Sequence, residues 1–240
     1  MPNKKDLLLE KRRYNLPQEI TSDEQKLLDQ NWPIQKIIGY VDLANVRIDV
    51  SNNILIPRYE TEELIYYALE QIKQNPNITK VLDLCSGSGF IGLALKKNNP
   101  NLAITCADIS QEAIASSHKN SLLNNLNIRI VQSDLFENID DKYDLIISNP
   151  PYISHKEKLD NSVLDFEPHI ALFAPDDGLY FYKRILSEGW NYLSENGFMM
   201  FEINPFHLSF WHNLRNQWDI TIIKDISSKD RFVIVKKLKK

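Results

Sequence analysis

The sequence has 240 residues, enough for one large domain with a small appendage and a sizeable core. Hydrophobic residues make up 43% and charged residues 25%, and the longest apolar runs, such as residues 198–201, are too short to span a bilayer. The net charge of -4 argues against a protein that clamps a nucleic acid backbone, because such proteins usually carry a basic surplus.

Cysteine content and the start of the chain predict a cytoplasmic protein that does not bind membranes. Cys85 and Cys106 provide no disulfide framework, and the first residues lack the apolar segment of a secretory signal. Basic residues cluster near both ends, where they form either solvated termini or an electrostatic docking patch. The clusters comprise Lys4, Lys5, Lys11, Arg12 and Arg13, and Lys236, Lys237, Lys239 and Lys240.

Residues 1–39 are predicted to form a short helical segment. Ser22 and Gln25 have the spacing of a capping box that opens a helix running toward Asp29. Pro33 then starts another turn, and the isoleucines after it are spaced for one apolar face.

Residues 40–60 are predicted to form a β-hairpin linker. Val46, Ile48 and Val50 alternate with polar residues, and a turn signal at residues 51–53 precedes the apolar residues 54–56. Thr61 is then predicted to cap a helix, which opens the third segment, residues 61–240.

The third segment is predicted to be a doubly wound α/β domain. Strands are predicted at residues 81–84, 103–107, 128–132, 145–148 and 198–203, and helices at residues 91–97, 111–124 and 178–193. Short apolar strands separated by helices indicate a parallel sheet that is covered on both faces. The last two strands, residues 220–223 and 232–235, have no helix between them and predict a terminal antiparallel hairpin.

A glycine-containing loop follows the first of these strands and opens the next helix. Glycine lets the backbone approach a ligand closely, and the helix N-terminus offers free N–H groups. The loop lacks the third glycine of a dinucleotide fingerprint, so it is either a nucleoside-type cofactor loop or an ordinary tight turn. Its candidate cofactor-binding residues are Asp83, Cys85, Ser86, Gly87, Ser88 and Gly89.

Two further acidic residues lie at strand ends. Asp108, next to Ile109 and about 20 residues after the glycine loop, is placed to accept both ribose hydroxyls, unless it caps the following helix. Asp134 is placed to accept from an adenine amino group while Leu135 packs on the ring. These strand ends share the edge of the sheet where doubly wound folds bind ligands, so they predict an adenosyl cofactor.

The tetrapeptide Asn149, Pro150, Pro151 and Tyr152 follows a buried strand. Consecutive prolines remove two backbone donors and leave rigid carbonyls free to accept, and Asn149 adds a side-chain oxygen. Two acceptors can hold both hydrogens of one –NH₂ group and aim its lone pair, while Tyr152 stacks on its plane. In isolation the tetrapeptide is either a reaction centre or a loop with helix-breaking prolines. At this strand end it predicts a reaction centre for a planar amide or amine nitrogen.

The fold and these motifs resemble class I methyltransferases, and most of all the PrmC/HemK-type family that methylates a glutamine in peptide chain release factors. The resemblance runs from about Pro33 to the C-terminus. It includes residues 54–62, the glycine loop, and residues 132–136, 149–153, 165–168 and 171–173.

The resemblance implies a Rossmann-like sheet of seven strands and a methyl donor, S-adenosyl-L-methionine, with S-adenosyl-L-homocysteine as product. Asn149, Pro150 and Tyr152 are then the catalytic residues; Asn149 also contacts the cofactor, and Pro151 completes the substrate site. A monomer that acts on release factors, without direct nucleic acid binding, is expected. No cysteine–histidine cluster has metal-ligand spacing, so no metal is expected.

Arg58 and Thr61 lie in the segment that, by the resemblance, closes over the cofactor and substrate entrance. Their alternatives are a surface charge for Arg58 and a helix cap for Thr61. Glu167 either reaches the substrate backbone or caps a turn. The family usually has proline where Tyr59 stands, a difference that changes loop stiffness only. It also usually has a longer helical N-terminal domain, and this difference predicts a change in substrate docking more than in chemistry.

Three alternatives remain at this point. The same tetrapeptide occurs in enzymes that methylate amino groups of DNA or RNA, which flip the target base out of its stack. A glutamine methyltransferase of a ribosomal protein fits the same motifs. A scaffold that binds the cofactor without catalysis is disfavoured by the complete tetrapeptide.

Overall fold

A computed structural model describes residues 2–238 of the chain. Met1, Lys239 and Lys240 lie outside the described residues, so the C-terminal basic cluster is described only at Lys236 and Lys237. Within residues 2–238 the chain forms ten α-helices and nine β-strands. The helices are α1 (Lys4–Arg13), α2 (Ser22–Asp29), α3 (Ile34–Ile38), α4 (Tyr59–Gln74), α5 (Phe90–Asn98), α6 (Gln111–Leu123), α7 (Asn161–Leu164), α8 (His169–Leu172), α9 (Tyr180–Glu188) and α10 (Leu208–Asn213). The strands are β1 (Tyr40–Leu43), β2 (Val46–Asp49), β3 (Lys80–Leu84), β4 (Ala103–Asp108), β5 (Arg129–Gln132), β6 (Tyr143–Ser148), β7 (Leu193–Glu202), β8 (Trp218–Lys224) and β9 (Asp230–Lys237).

The central sheet has seven strands in the order β5-β4-β3-β6-β7-β9-β8. The first five are parallel to one another, and β9 is antiparallel to both of its neighbours. The predicted doubly wound sheet with a terminal antiparallel hairpin is therefore confirmed. Because the parallel strands share one direction, β3, β4, β5 and β6 end at the same edge.

Both faces of the sheet are covered by hydrophobic cores, which explains why its strands are almost continuously apolar. Along β3, Val81 faces a core formed with α4, α5 and the β1–β2 hairpin. Leu82 and Leu84 face the opposite core, which includes Tyr182 of α9 and Trp211 of α10. The hairpin is thus part of the main domain's core.

The predicted hairpin exists, but its turn lies earlier than predicted. Residues Tyr40 to Leu43 pair with Asp49 to Val46, and the turn is formed by Ala44 and Asn45, whose φ angles are 46° and 66°. Two left-handed residues suit a tight hairpin turn, but alanine gives little sequence signal for one. Residues 52–54 form a bend, close to the predicted turn, and residues 55–58 have no regular secondary structure, so the predicted second strand is absent.

Three helix boundaries also differ from the predictions. The capping box of α2 is formed by Thr21 and Glu24, one residue before the predicted Ser22 and Gln25. Helix α4 begins at Tyr59, so Thr61 lies inside its first turn and is not the cap. Helix α9 ends at Glu188, and the chain enters β7 at Leu193, where a helix was predicted to continue.

The N-terminal segment has a small core of its own, formed by Leu7, Leu28 and Ile34. Lys11 is buried there, and its ammonium donates to Glu24 at 2.8 Å and to the Glu19 carbonyl at 2.6 Å. Lys11 is therefore an internal ion-pair partner, and it does not belong to an exposed basic patch. Among residues 2–238, no helix is both long and apolar enough to cross a membrane.

Candidate active site

A cavity of about 250 Å³ opens at the edge where the parallel strands end. Its wall combines residues that follow β3, β4, β5 and β6 with residues before α4, from α8 and from α9. The lining residues are Asn53, Ile54, Leu55, Thr61, Cys85, Ser86, Gly87, Ser88, Phe90, Ile91, Ala107, Asp108, Ile109, Ser110, Ala113, Ser133, Asp134, Leu135, Asn149, Pro151, Pro168, Ile170, Ala171, Tyr180, Phe181 and Arg184. Most of the predicted cofactor residues thus meet in one cavity.

The glycine loop wraps the N-terminus of α5 in a left-handed conformation. Cys85, Gly87 and Gly89 have φ angles of 57°, 53° and 77°. Gly89 does not line the cavity: a Cβ there would lie 2.9 Å from the Ser117 hydroxyl, so its glycine is required for conformation and packing. The Ser86 hydroxyl is buried in the cavity wall without a hydrogen-bond partner, and such groups usually have one.

Asp83 was predicted to contact the cofactor, but it does not line the cavity. Its carboxylate is fully buried under α5, where Oδ2 accepts from the Gly92 N–H at 2.9 Å and lies 3.7 Å from the Cys106 sulfur. Burial raises the pKa of Asp83 to about 7. Asp83 therefore anchors α5 to the sheet, and its side chain does not reach the cavity.

Asp108 lies in the cavity wall next to the half-exposed Ile109. Its Oδ2 accepts from the Gly87 N–H at 2.8 Å and its Oδ1 from the Ser110 N–H at 2.9 Å. Burial raises the pKa of Asp108, and these backbone hydrogen bonds oppose the rise. Ser110, not Asp108, caps α6, so the alternative of Asp108 as the helix cap is wrong. Each carboxylate oxygen retains a second lone pair for a ligand.

Asp134 and Leu135 form the part of the cavity wall that follows β5. The sequence did not indicate that Asp134 has a partner, Arg184 of α9, whose Nη1 lies 2.8 Å from its Oδ1. Arg184 also lines the cavity, and its Nε donates to Glu188 at 3.0 Å. The spacing of Arg184 and Glu188 predicts only a surface pair on a helix, so it gave no signal for a cavity residue.

Asn149 and Pro151 line the cavity, whereas Pro150 and Tyr152 lie outside its lining. The Asn149 Nδ2 donates to the Thr61 hydroxyl at 3.1 Å, and the Tyr152 hydroxyl donates to a carboxylate oxygen of Glu202 at 3.1 Å. The Tyr152 hydroxyl is bonded within the protein, and its ring lies outside the cavity lining. Stacking of this ring on a substrate therefore stays a prediction.

Glu202 is a residue that the sequence interpretation missed. It ends β7, is 1% exposed, and accepts hydrogen bonds from Thr61 at 2.7 Å and Tyr152 at 3.1 Å. Burial raises the pKa of Glu202, and the two hydroxyl donors and the charge of Arg231 oppose the rise. Its only sequence signal is an acidic residue within the apolar run of residues 198–203.

Arg58 is neither a free surface charge nor a cavity residue, because its guanidinium is paired with Glu167. The Arg58 Nη2 lies 2.6 Å from Glu167 Oε1, and Oε2 accepts from the Ile56 N–H at 2.9 Å. Glu167 therefore holds the chain on both sides of residue 57, which explains how Asn53, Ile54 and Leu55 are kept in the cavity wall. Neither role considered for Glu167 anticipated this contact.

Two histidines that follow the Asn149 tetrapeptide in the sequence pack against one aromatic side chain. His155 stacks on Phe173 and His169 meets the same ring edge-on. Within the described part of the chain, no group of three histidine, cysteine, aspartate or glutamate residues could hold a metal ion.

The strand order, the glycine loop and the Asn149 strand end define a class I methyltransferase. A Pyrococcus furiosus methyltransferase is similar over 90% of this chain and 98% of its own, with a TM-score of 0.58 and 15% identity. A T. thermophilus 16S rRNA methyltransferase in complex with AdoMet and guanosine is similar over 83% of this chain and 50% of its own, with a TM-score of 0.61 and 16% identity. At these identities the likeness supports the fold alone.

Relatives of higher identity define the family. A model of the methyltransferase small domain matches residues 63–166. A release factor glutamine methyltransferase of Streptococcus pneumoniae is 43% identical over 201 residues, which cover 79% of this chain and 71% of that protein. Another, of Lactococcus lactis, is 36% identical over 229 residues, covering 91% and 82%. The chain belongs to the release factor glutamine methyltransferase family.

Proposed function

We propose that the protein transfers a methyl group from S-adenosyl-L-methionine to the side-chain amide of the glutamine in the Gly-Gly-Gln loop of peptide chain release factors. The observation that carries this assignment is that Asn149 and the glycine loop line the same cavity. Methyl donor and acceptor sites are thus adjacent. The names of the relatives support the choice of a release factor glutamine as acceptor.

The cavity suits an adenosyl cofactor. Asp108 offers lone pairs at the strand end where ribose hydroxyls are bound in doubly wound folds. The unpartnered Ser86 hydroxyl supplies a further polar group. Asp134 and Leu135 provide an acceptor and an apolar surface for the base. When bound, S-adenosyl-L-methionine supplies a methyl group on a positively charged sulfur.

The protein's own part in the reaction is to hold and align the acceptor nitrogen. A glutamine amide is a poor nucleophile because its lone pair is delocalised into the carbonyl. The Asn149 Oδ1 and the Pro150 carbonyl accept its two N–H groups, which fixes the direction of the nitrogen and increases its electron density. Alignment of this kind reaches effective molarities of roughly 10⁵ M or more. The amide loses its surplus proton to water, so no strong general base is needed.

The surroundings of the substrate are predicted from chemistry and composition. Release factors act with ribosomes, which agrees with the predicted cytoplasmic location; the monomer stays a prediction. The net charge of -4 argues against a nucleic acid substrate, because proteins that bind a nucleic acid backbone usually carry a basic surplus. The N-terminal segment contacts residues beside the cavity, since Trp32 packs on Phe166, next to Glu167, and Arg13 bonds Tyr59 at the start of α4. This segment is the docking surface that we propose for the release factor.

Mass spectrometry of purified release factors after incubation with the protein and S-adenosyl-L-methionine tests the assignment. A single added methyl on the glutamine of the Gly-Gly-Gln loop is expected. Asn149→Ala abolishes the transfer and leaves cofactor affinity nearly unchanged. Parallel reactions with ribosomal proteins, DNA and RNA examine the alternatives. Methyl transfer to one of them with none to release factors refutes the assignment.

A further inference from the structure

A chain of hydrogen bonds connects Asn149 to a buried carboxylate that does not line the cavity. The Asn149 Nδ2 donates to Thr61 Oγ1 at 3.1 Å, and the Thr61 hydroxyl donates to Glu202 Oε2 at 2.7 Å. The Tyr152 hydroxyl donates to Glu202 Oε1 at 3.1 Å. Thr61 is 4% exposed and Glu202 is 1% exposed, so water does not compete for these bonds.

The direction of this chain follows from its end group. An ionised carboxylate only accepts hydrogen bonds, and a threonine hydroxyl has a single hydrogen to donate. Because Thr61 gives that hydrogen to Glu202, it can only accept from Asn149. The –NH₂ group of Asn149 must therefore face Thr61, and its oxygen faces away. The two ends of an asparagine amide have nearly the same shape, so hydrogen bonds decide which end is where.

We infer that Glu202 and Thr61 are positioning residues that fix the amide orientation of Asn149 for the methyl acceptor. The inference rests on the proposed function, in which an incoming –NH₂ group needs an acceptor from Asn149. In the reversed orientation Asn149 presents its own –NH₂ group to the substrate, and neither nitrogen accepts a hydrogen bond. Glu202 is outside the cavity lining, so it acts on the substrate through the side chains that it bonds, and the route to Asn149 passes through Thr61.

Other groups near Glu202 preserve its role as an acceptor. Tyr152 donates to its second carboxylate oxygen, and Tyr182 donates to its backbone carbonyl at 2.9 Å. Burial raises the pKa of Glu202, and the hydrogen bonds from Thr61 and Tyr152 and the charge of Arg231 oppose that rise and so favour the ionised, accepting form. Both carboxylate oxygens of Glu202 accept a hydrogen bond, so Glu202 offers the Thr61 hydroxyl no hydrogen. Thr61 therefore donates to Glu202 and accepts from Asn149. The orientation of Asn149 is thus set by groups on α4, β7 and the loop after β6.

Steady-state kinetics with a release factor and S-adenosyl-L-methionine tests the positioning role. Thr61→Val removes the relay and lowers kcat about 10- to 100-fold, the scale of a misaligned reactive group. Thr61→Ser keeps the hydroxyl and retains most of kcat. In Glu202→Gln the glutamine amide can donate as well as accept, so it no longer forces the Thr61 hydroxyl to donate toward it. This variant is therefore also expected to lower kcat. The double variant Thr61→Val/Glu202→Gln is no slower than Thr61→Val, because both changes break the same chain.

The matched control is Thr105→Val, which removes a buried hydroxyl that accepts from Tyr143 at 3.1 Å outside the cavity. It leaves kcat unchanged. Full activity of Thr61→Val or Glu202→Gln, or additive losses in the double variant, overturns the inference. Additive losses in particular mean that Thr61 acts by contacting a ligand directly.

A second readout does not depend on activity. The side-chain amide signal of Asn149 in a ¹⁵N spectrum, assigned by its loss in Asn149→Ala, is expected to shift in Thr61→Val and in Glu202→Gln and to stay unchanged in Thr105→Val. An unchanged signal in both relay variants refutes the positioning role. Shifted signals in a protein that methylates no release factor count against the proposed function alone.

Discussion

Glu167 holds residues 53–58, which we call the entrance segment of the cavity, through its bonds to Ile56 and Arg58. Replacement of Glu167 by alanine is expected to destabilise this segment. The Glu167 side chain is 1% exposed and bonds both Arg58, which is 34% exposed, and the backbone N–H of Ile56, itself 1% exposed. In Glu167→Ala the buried N–H loses its acceptor, which costs about 1–3 kcal/mol. The partly solvated ion pair adds about 1 kcal/mol or less. We expect a total loss of about 1–4 kcal/mol.

Glu167→Gln separates the two contributions. Glutamine keeps the volume and an oxygen that accepts from the Ile56 N–H, and it removes only the charge opposite Arg58. Its expected cost is therefore about 1 kcal/mol or less. The exposed Asp165 lies on the same loop, so Asp165→Ala is the matched control and is expected to leave stability unchanged.

Urea denaturation followed by circular dichroism measures these differences, and calorimetric titration with S-adenosyl-L-methionine measures affinity. Glu167→Ala is expected to weaken cofactor binding more than Glu167→Gln, because Asn53, Ile54 and Leu55 line the cavity. If the glutamine variant is as unstable as the alanine variant, the ion pair dominates and the assignment of the backbone contact as the main anchor is wrong.

Two further predictions concern Asp83, which is buried under α5, and Arg184, which pairs with Asp134 in the cavity wall. The pKa of Asp83 is about 7 in the folded protein against 3.8 ordinarily, so the folded state binds its proton more tightly. Its contribution to the free energy of unfolding is present below about pH 4 and is lost as pH rises toward 7. In Asp83→Asn, this pH dependence of the free energy of unfolding, measured by urea denaturation, is expected to disappear. An unchanged pH dependence contradicts the prediction. Arg184→Ala frees Asp134 and is expected to weaken cofactor affinity several-fold by titration, while unaltered affinity means that Arg184 only packs beside the site.

The sheet was predictable from the sequence because its signals are local. Apolar runs such as residues 81–84 and 145–148 are strands because both faces are buried, and their short length together with the residues that flank them distinguishes them from helices. The parallel direction then brings Asp108, Asp134 and Asn149 to one edge, so their meeting in one cavity follows from topology. The same reasoning misplaced Asp83, whose side chain lies under α5.

The contacts that complete the site were not predictable in this way. Thr61 and Glu202 are 141 positions apart, and Glu167 and Ile56 are 111 positions apart. A threonine near a helix start is most often a cap, and a single glutamate in an apolar run predicts nothing specific. Only the packing of α4 against the sheet edge shows that Thr61 faces Glu202 and that Arg58 faces Glu167.

The first turn of α4 connects the entrance segment of the cavity, held by Glu167, to Asn149. Arg58, bonded to Glu167, precedes this turn, and Thr61, bonded to Glu202 and Asn149, lies three residues later. Loosening Arg58 by Glu167→Ala is therefore expected to disturb Asn149 through Thr61, and to lower kcat as well as cofactor affinity.

A double-variant cycle tests this coupling. If the disturbance passes through Thr61, Glu167→Ala lowers kcat in the wild-type background and has no further effect on kcat in Thr61→Val, whereas its effect on cofactor affinity is the same in both. Equal kcat losses in the two backgrounds show that the entrance segment acts on the reaction independently of Asn149. In that case the first turn of α4 holds two separate contacts, and the bond between Arg58 and Glu167 has no influence on the orientation of Asn149.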